Sequence, residues 1–229
     1  MTIVPTLVRQ VPYFAPLDEP ALAAVAREVR RRAYERGAAI VLEGERSTEL
    51  FFVIEGRVKV VKSSPEGREQ VLLVLGPGRS FNDVPVFDDG PNPGTALALE
   101  PCVVGAVPAA VVLDLVRRHP EVAVAATRVL AGRVRSLAAQ IEDLAFRSVV
   151  ARVARLLVDC TTDRPTVIEG PGGACRRLTQ HDIAAMTGSV REVVQRALKT
   201  LERHGAIVME RAHVSVRDLD VLRQWSDAA

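Results

Sequence analysis

The sequence predicts an α+β chain in which an antiparallel β domain is followed by one long helix and a small α-rich unit that closes on a hairpin. Three features carry that expectation. Between Ala39 and Pro108, short β-rich runs alternate with Gly and Pro turns, the spacing of an antiparallel sandwich or barrel. From about Glu121 to Phe146 apolar residues recur every three or four positions. From Thr179 onward, two helix-start signals separated by a Gly precede two short β-rich runs.

At the N-terminus, residues 7–32 read as helical, interrupted by Pro12, Pro16 and Pro20, with Leu22, Val25 and Val29 on one face. Strands are expected at 51–54, 58–61, 71–75, 96–99 and 103–107, punctuated by glycines such as Gly56, Gly67, Gly78 and Gly90. In the long helix, Leu130, Val134, Leu137, Ile141 and Leu144 are spaced four, three, four, three, an a/d seam. Such a narrow stripe packs either on the chain's own β domain or on a second copy, and the spacing favours the second copy. Arg133, Arg135, Glu142 and Asp143 then fall on the flanks of that seam. Residues 148–159 form a further amphipathic helix, and 161–174, rich in Gly, Pro and Thr, read as loop or short strand. The domains expected are 1–119, 120–146 and 147–229.

Composition narrows the function classes. The chain has 229 residues, 48% of them apolar, and a net charge of +2, so nucleic-acid binding, if present, must come from a local site. Cys102, Cys160 and Cys175 are odd in number and have no C-x-x-C spacing, which gives neither a disulfide framework nor a zinc ribbon and suits a reducing cytoplasm. No signal peptide and no membrane span are expected. Paired carboxylates, a Ser/His/Asp set and a P-loop are all missing at recognisable spacing, so no enzyme is expected.

The informative segment runs from Thr179 to Arg203. Thr179 with Asp182 is a capping box, Ile183, Ala184 and Met186 supply an apolar face, and Gly188 can take the left-handed turn that ends the helix. Ser189 with Glu192 reads as a second box that starts the next helix at once. Val193, Val194, Ala197, Leu198 and Leu201 face inward there, and Arg191, Glu192, Gln195, Arg196 and Lys199 face outward. Two short helices joined by a tight Gly turn are the helix-turn-helix geometry. Arg can donate bidentately to guanine, and Glu can accept from cytosine N4. Residues 205–208 and 213–216 flank a polar segment and form a hairpin, a wing, directly after the second helix.

With these residues in view, the chain from about Leu7 to Leu222 resembles the cyclic-AMP receptor protein / fumarate–nitrate reduction regulator (CRP/FNR) family. The R-E-x-x-x-R element is present as Arg191, Glu192 and Arg196, and Leu144-Ala145-Phe146 followed by Arg152-Val153-Ala154 resembles the end of the dimer helix, the hinge and the next helix. The resemblance implies a cyclic-nucleotide-binding-like β-roll, a dimerisation helix and a winged helix-turn-helix. It implies base contacts from Arg191, Glu192 and Arg196, and phosphate contacts from Thr179, Gln180, Ser189 and Lys199. It further implies a homodimer on a two-fold symmetric duplex in the cytoplasm, with RNA polymerase as partner. The alternative is a cyclic-nucleotide-responsive or other small-molecule-binding module without DNA function.

The resemblance breaks at the effector pocket, expected at Asn82, Asp83, Val84, Thr95 and Leu137. Asn82-Asp83 stands where cyclic-AMP-binding members have Gly-Glu, and Pro93-Gly94 where they have Arg-Ser. Leu137 and Ala138 replace the hydroxyl residues that meet the base. Pro93 offers a phosphodiester no cation, so cyclic AMP is not expected to bind. The 92–96 stretch is closer to the redox- and gas-sensing branch, but no Cys precedes Cys102 to ligate an iron–sulfur cluster. No cofactor is expected; haem is the alternative, and no His precedes His119 to ligate it. Cys102 reads as a buried small hydrophobe.

Overall fold

The fold was obtained as a computed structural model, which describes residues 4–162, 168–169, 178–210 and 213–227. Cys175, most of the 161–174 segment and the tip of the expected wing lie outside these residues.

The elements in chain order are α1 (Pro5–Val8), α2 (Glu19–Glu28), β1 (Arg30–Tyr34), β2 (Ala39–Val41), β3 (Glu49–Glu55), β4 (Val58–Ser63), β5 (Glu69–Leu75), β6 (Ser80–Phe81), α3 (Val84–Asp88), β7 (Thr95–Ala98), β8 (Cys102–Pro108), α4 (Ala109–Arg118) and α5 (Pro120–Phe146). They continue with α6 (Val149–Thr162), β9 (Ile168–Glu169), α7 (Gln180–Thr187), α8 (Arg191–Arg203), β10 (Ile207–Glu210), β11 (His213–Val216) and α9 (Leu219–Asp227). Contacts divide the chain into two units. One holds residues 1–62 and 73–135, the other residues 63–72 and 136–229.

In the first unit two antiparallel sheets form the roll. One has the order β1-β8-β3-β6; the other includes β2, β7 and β4 as neighbours in that order. β3 is buried on both faces because it is a central strand with cover on each side. Its Leu50 and Phe52 join Tyr13, Phe14 and Leu17 of the N-terminal segment and Val112 of α4 in one apolar cluster, while Phe51 stacks on Phe81 at 5.3 Å. All five expected strands are present, with β1, β2 and β6 in addition. Residues 30–32 correct the expectation of helix. Val29 is already extended, and Arg30–Arg32 pair in register with Ala106–Val104 of β8. Asp18 caps α2 by accepting from Ala21 N at 2.9 Å, so the proline-broken stretch starts its only long helix late. Helices α3 and α4 were not anticipated. Pro85 and Pro108 masked them: one sits in the first turn of α3 and the other is the N-cap of α4, where a missing N–H does no harm.

In the second unit α6 packs against α7, α8 and α9, and the β10–β11 hairpin follows α8 directly. Cys102 is a free, buried thiol, and burial pushes its pKa up. Cys160 is disulfide-bonded, contrary to the reading of its spacing, because pairing depends on approach in space and not on separation along the chain.

Candidate nucleic-acid interface

The interface is built from α7, the turn after it, α8 and the hairpin. Thr179 caps α7 as its spacing demands. Asp182 N donates to Thr179 Oγ1 at 3.1 Å, and Thr179 N donates to Asp182 Oδ2 at 2.9 Å. Gly188 ends the helix at φ 61°, the left-handed conformation. A Cβ there would strain the positive φ and would push aside the side-chain ends of Leu144 and Gln70, 2.4 Å and 2.7 Å away.

The second expected box is not formed. Ser189 N donates back to Ala184 O as part of the turn closure, and the N-cap of α8 is Val190, with no side-chain cap. The helix therefore begins one residue later than a Ser189 cap would place it. Glu192 is released from a capping role and exposed in the first turn. No side chain caps the first turn of α8; Val193 N and Val194 N both donate to Val190 O.

Helix α8 is strongly two-sided. Val194, Ala197, Leu198 and Leu201 are buried, and Val193 is half-buried. Arg191, Glu192, Gln195, Arg196 and Lys199 are all exposed, on one side, as the sequence predicts. Thr179 is exposed too, and Gln180 and Ser189 are half-buried at the helix starts. Strands β10 and β11 pair from Ile207 with Val216 to Glu210 with His213, which makes the wing. Glu202 accepts from Met209 N at 2.9 Å and ties the end of α8 to the wing strand.

On α5 the seam is open in the single chain. Val134 is 66% exposed, Leu137 38%, Ile141 67% and Leu144 43%, while Leu130 is half-buried. Two flank residues differ from expectation. Arg133 is buried and bonded to Asp83, and Asp143 pairs with Arg147 and Arg155. Both are polar side chains on the neighbouring stripe of the helix, which its own unit covers, so only Arg135 and Glu142 stay exposed.

Of the expected effector-pocket residues, the three polar ones are bonded to other groups of their own unit, and Val84 and Leu137 are exposed. Asn82, at φ 62°, donates through Nδ2 to Glu49 O at 2.8 Å. Buried Asp83 accepts from Tyr13 OH at 2.6 Å, from Ser80 Oγ at 3.4 Å and from Arg133 Nη1, while Arg133 Nη2 donates to Ser80 O. Burial, with the neighbouring Asp83 carboxylate, pushes the Tyr13 phenol far above its ordinary pKa of 10.0. The expectation of a region without a cation is thus corrected: Arg133 supplies one, already neutralised by Asp83. Its polar character hid it from a search for apolar periodicity. Val84 is exposed, and Thr95 Oγ1 accepts from Glu43 N at 3.1 Å. At Gly94 a Cβ would lie 2.9 Å from Val61 O, so the backbone runs too close there for a serine.

A β-roll, a long helix with an uncovered apolar seam and a winged helix-turn-helix with a basic outer face together define a DNA-binding regulator. The comparisons agree. Residues 31–119 match the cyclic nucleotide-binding domain model, and residues 151–225 match the Crp-like helix-turn-helix domain model. The chain is 30% identical, over 209 residues covering 91% of it and 93% of the relative, to the CRP-like cAMP-activated global transcriptional regulator of Mycobacterium tuberculosis. It is 28% identical to the catabolite activator protein of Thermus thermophilus, with a TM-score of 0.53 over 94% of this chain and 98% of that one. FixK2 of Bradyrhizobium japonicum shares the fold, with a TM-score of 0.74, 23% identity and coverage of 88% and 98%. The chain belongs to the CRP/FNR family of transcription regulators.

Proposed function

We propose that this regulator acts as a homodimer through the α5 seam and reads a two-fold symmetric duplex with Arg191, Glu192 and Arg196 of α8. The observation that carries this reading is the exposed face of α8, where the arginines and Glu192 stand on a helix whose opposite side buries Val194, Ala197, Leu198 and Leu201. Arg191 and Glu192 lie in the first turn and Arg196 one turn deeper, the reach of a helix whose N-terminus enters a major groove. Thr179, Gln180, Ser189 and Lys199 hold the phosphates on either side.

The seam supports the dimer because an apolar stripe of this length loses its water only against a similar helix. Two copies then present two recognition helices about one duplex turn apart. The cytoplasm, where the DNA is, and RNA polymerase as partner complete the reading; no catalytic role and no cofactor are part of it.

The test is fluorescence anisotropy with a duplex that the wild-type protein selects from a randomised library. Arg191→Ala and Arg196→Ala should each cost about 1–3 kcal/mol on the selected duplex and little on scrambled DNA. Lys199→Ala should weaken both alike and reduce the salt slope by about one. Unchanged sequence preference in both arginine variants would assign base readout to another surface.

A further inference from the structure

The hinge carries a polar cluster that DNA reading by α8 alone does not use. Asp143, in the last turn of α5, is shared by two arginines. Its Oδ1 lies 2.9 Å from Arg147 Nε and 3.0 Å from Arg155 Nη1. The three side chains are largely withdrawn from solvent, at 17% exposure for Asp143, 20% for Arg147 and 31% for Arg155. Arg147 sits in the short link between α5 and α6, and its Nη1 donates to the carbonyl of Ser226 in α9. Arg155 lies in α6, and Ser148 Oγ accepts from Ala151 N at 3.2 Å at the start of that helix. Arg152 stands close enough for Asp143 to favour its charged form, against a larger opposing effect of burial. One carboxylate thus ties the exit of α5, the link and α6 together, and through Arg147 reaches α9.

Phe146, the last residue of α5, is 75% exposed and drives no wedge into the bend. Helix α6 is the element against which α7, α8 and α9 all pack, so the direction in which α6 leaves α5 carries α8 with it. Small angular errors matter there. A rotation of about 10° over a lever of about 20 Å, the scale of a domain this size, moves a helix by about 3.5 Å, which is about one base-pair step along a duplex.

We propose that Asp143 is a positioning residue for DNA recognition: it fixes the angle between the dimer helix and the recognition helix, and so sets the half-site spacing the dimer accepts. This rests on the two-fold reading proposed above. Asp143 touches no DNA in this role; it acts through Arg147 and Arg155. With the ion pairs intact, α8 of each copy is held in one orientation. Without them, the link pivots and the dimer accepts neighbouring spacings at lower affinity.

The experiment uses the full-length protein and a duplex that the wild type selects from a randomised library. Three probes are derived from it: the selected duplex, versions with the central spacer one base pair shorter or longer, and a version with one half scrambled. For Asp143→Asn we expect the half-scrambled probe to be bound within about twofold of wild type. The advantage of the selected spacer over its neighbours should fall by about tenfold or more, as simultaneous engagement of both halves loses its geometric selectivity. A general loss of stability would lower all probes together and leave the spacer ratio unchanged. Arg155→Gln, which leaves Asp143 with Arg147, should move the spacer ratio in the same direction by less, and it decides the matter if Asp143→Asn fails to fold. A spacer ratio at the wild-type value in the folded variant overturns the proposal. If the wild type selects only single half-sites, the two-fold reading itself fails, and the spacing role with it.

Discussion

At Asp83 three side-chain donors converge: the nearby Ser80 hydroxyl and, from distant parts of the same unit, the Tyr13 hydroxyl and the Arg133 guanidinium. Buried charges of this kind are costly to leave single, so Arg133→Met or Asp83→Asn should each destabilise the protein by about 3–5 kcal/mol, read as a fall in urea midpoint. Tyr13 adds a pH signature. Its folded pKa is raised above the unfolded value near 10.0, so the native state keeps a proton that the unfolded chain releases. Stability from this group is complete below pH 10 and falls as pH rises toward the native pKa. Tyr13→Phe should therefore flatten the alkaline limb of a stability–pH curve; an equally steep limb would place the titration elsewhere. The same cluster bears on cyclic AMP. Asp83 and Arg133 cancel, leaving a phosphate no net charge to meet, so isothermal titration should show no micromolar binding. Heat at micromolar ligand would mean that Arg133 leaves Asp83 for the phosphate. The sequence marks Asp83 as a departure from the family pattern but hides its partners, because Arg133 is fifty positions away and Tyr13 seventy. Side-chain partnership across such distances leaves no periodic trace.

At the scale of elements, local signals were legible wherever the chain's own backbone supplies the partner. The capping box of Thr179 and the left-handed Gly188 are both formed as read. Thr179→Ala should cost about 1 kcal/mol through the lost cap. Gly188→Ala should cost at least as much, since it strains the positive φ and makes Leu144 and Gln70 turn aside. Urea titration of the two variants checks the order, and a milder Gly188→Ala would show that the turn relaxes. The second box failed for a local reason as well: the turn consumes Ser189 N, so Val190 takes the cap position. Strands with alternating or continuous apolar runs were found from pattern alone. β1 was not, because Arg30, Arg31 and Arg32 carry no apolar signal and pair with β8 through backbone, as an edge strand can.

For the whole molecule, α5 carries its apolar residues with a regular period, and Val134, Leu137, Ile141 and Leu144 are exposed in the single chain. Arg133 and Asp143, expected on the flanks of the stripe formed by Leu130, Val134, Leu137, Ile141 and Leu144, serve the chain's own interior instead. The account stands on the claim that two copies join along this stripe and read DNA together. Leu137→Glu sets two like charges against each other across the two-fold axis, where partial burial makes them strongly unfavourable. The most direct measurement is sedimentation of wild type and Leu137→Glu, with binding to the selected duplex recorded on the same samples. The account predicts a dimer that binds for the wild type, and a folded monomer that has lost the duplex for the variant. A Leu137→Glu protein that stays dimeric, or a monomer that holds the duplex as tightly as wild type, would contradict it.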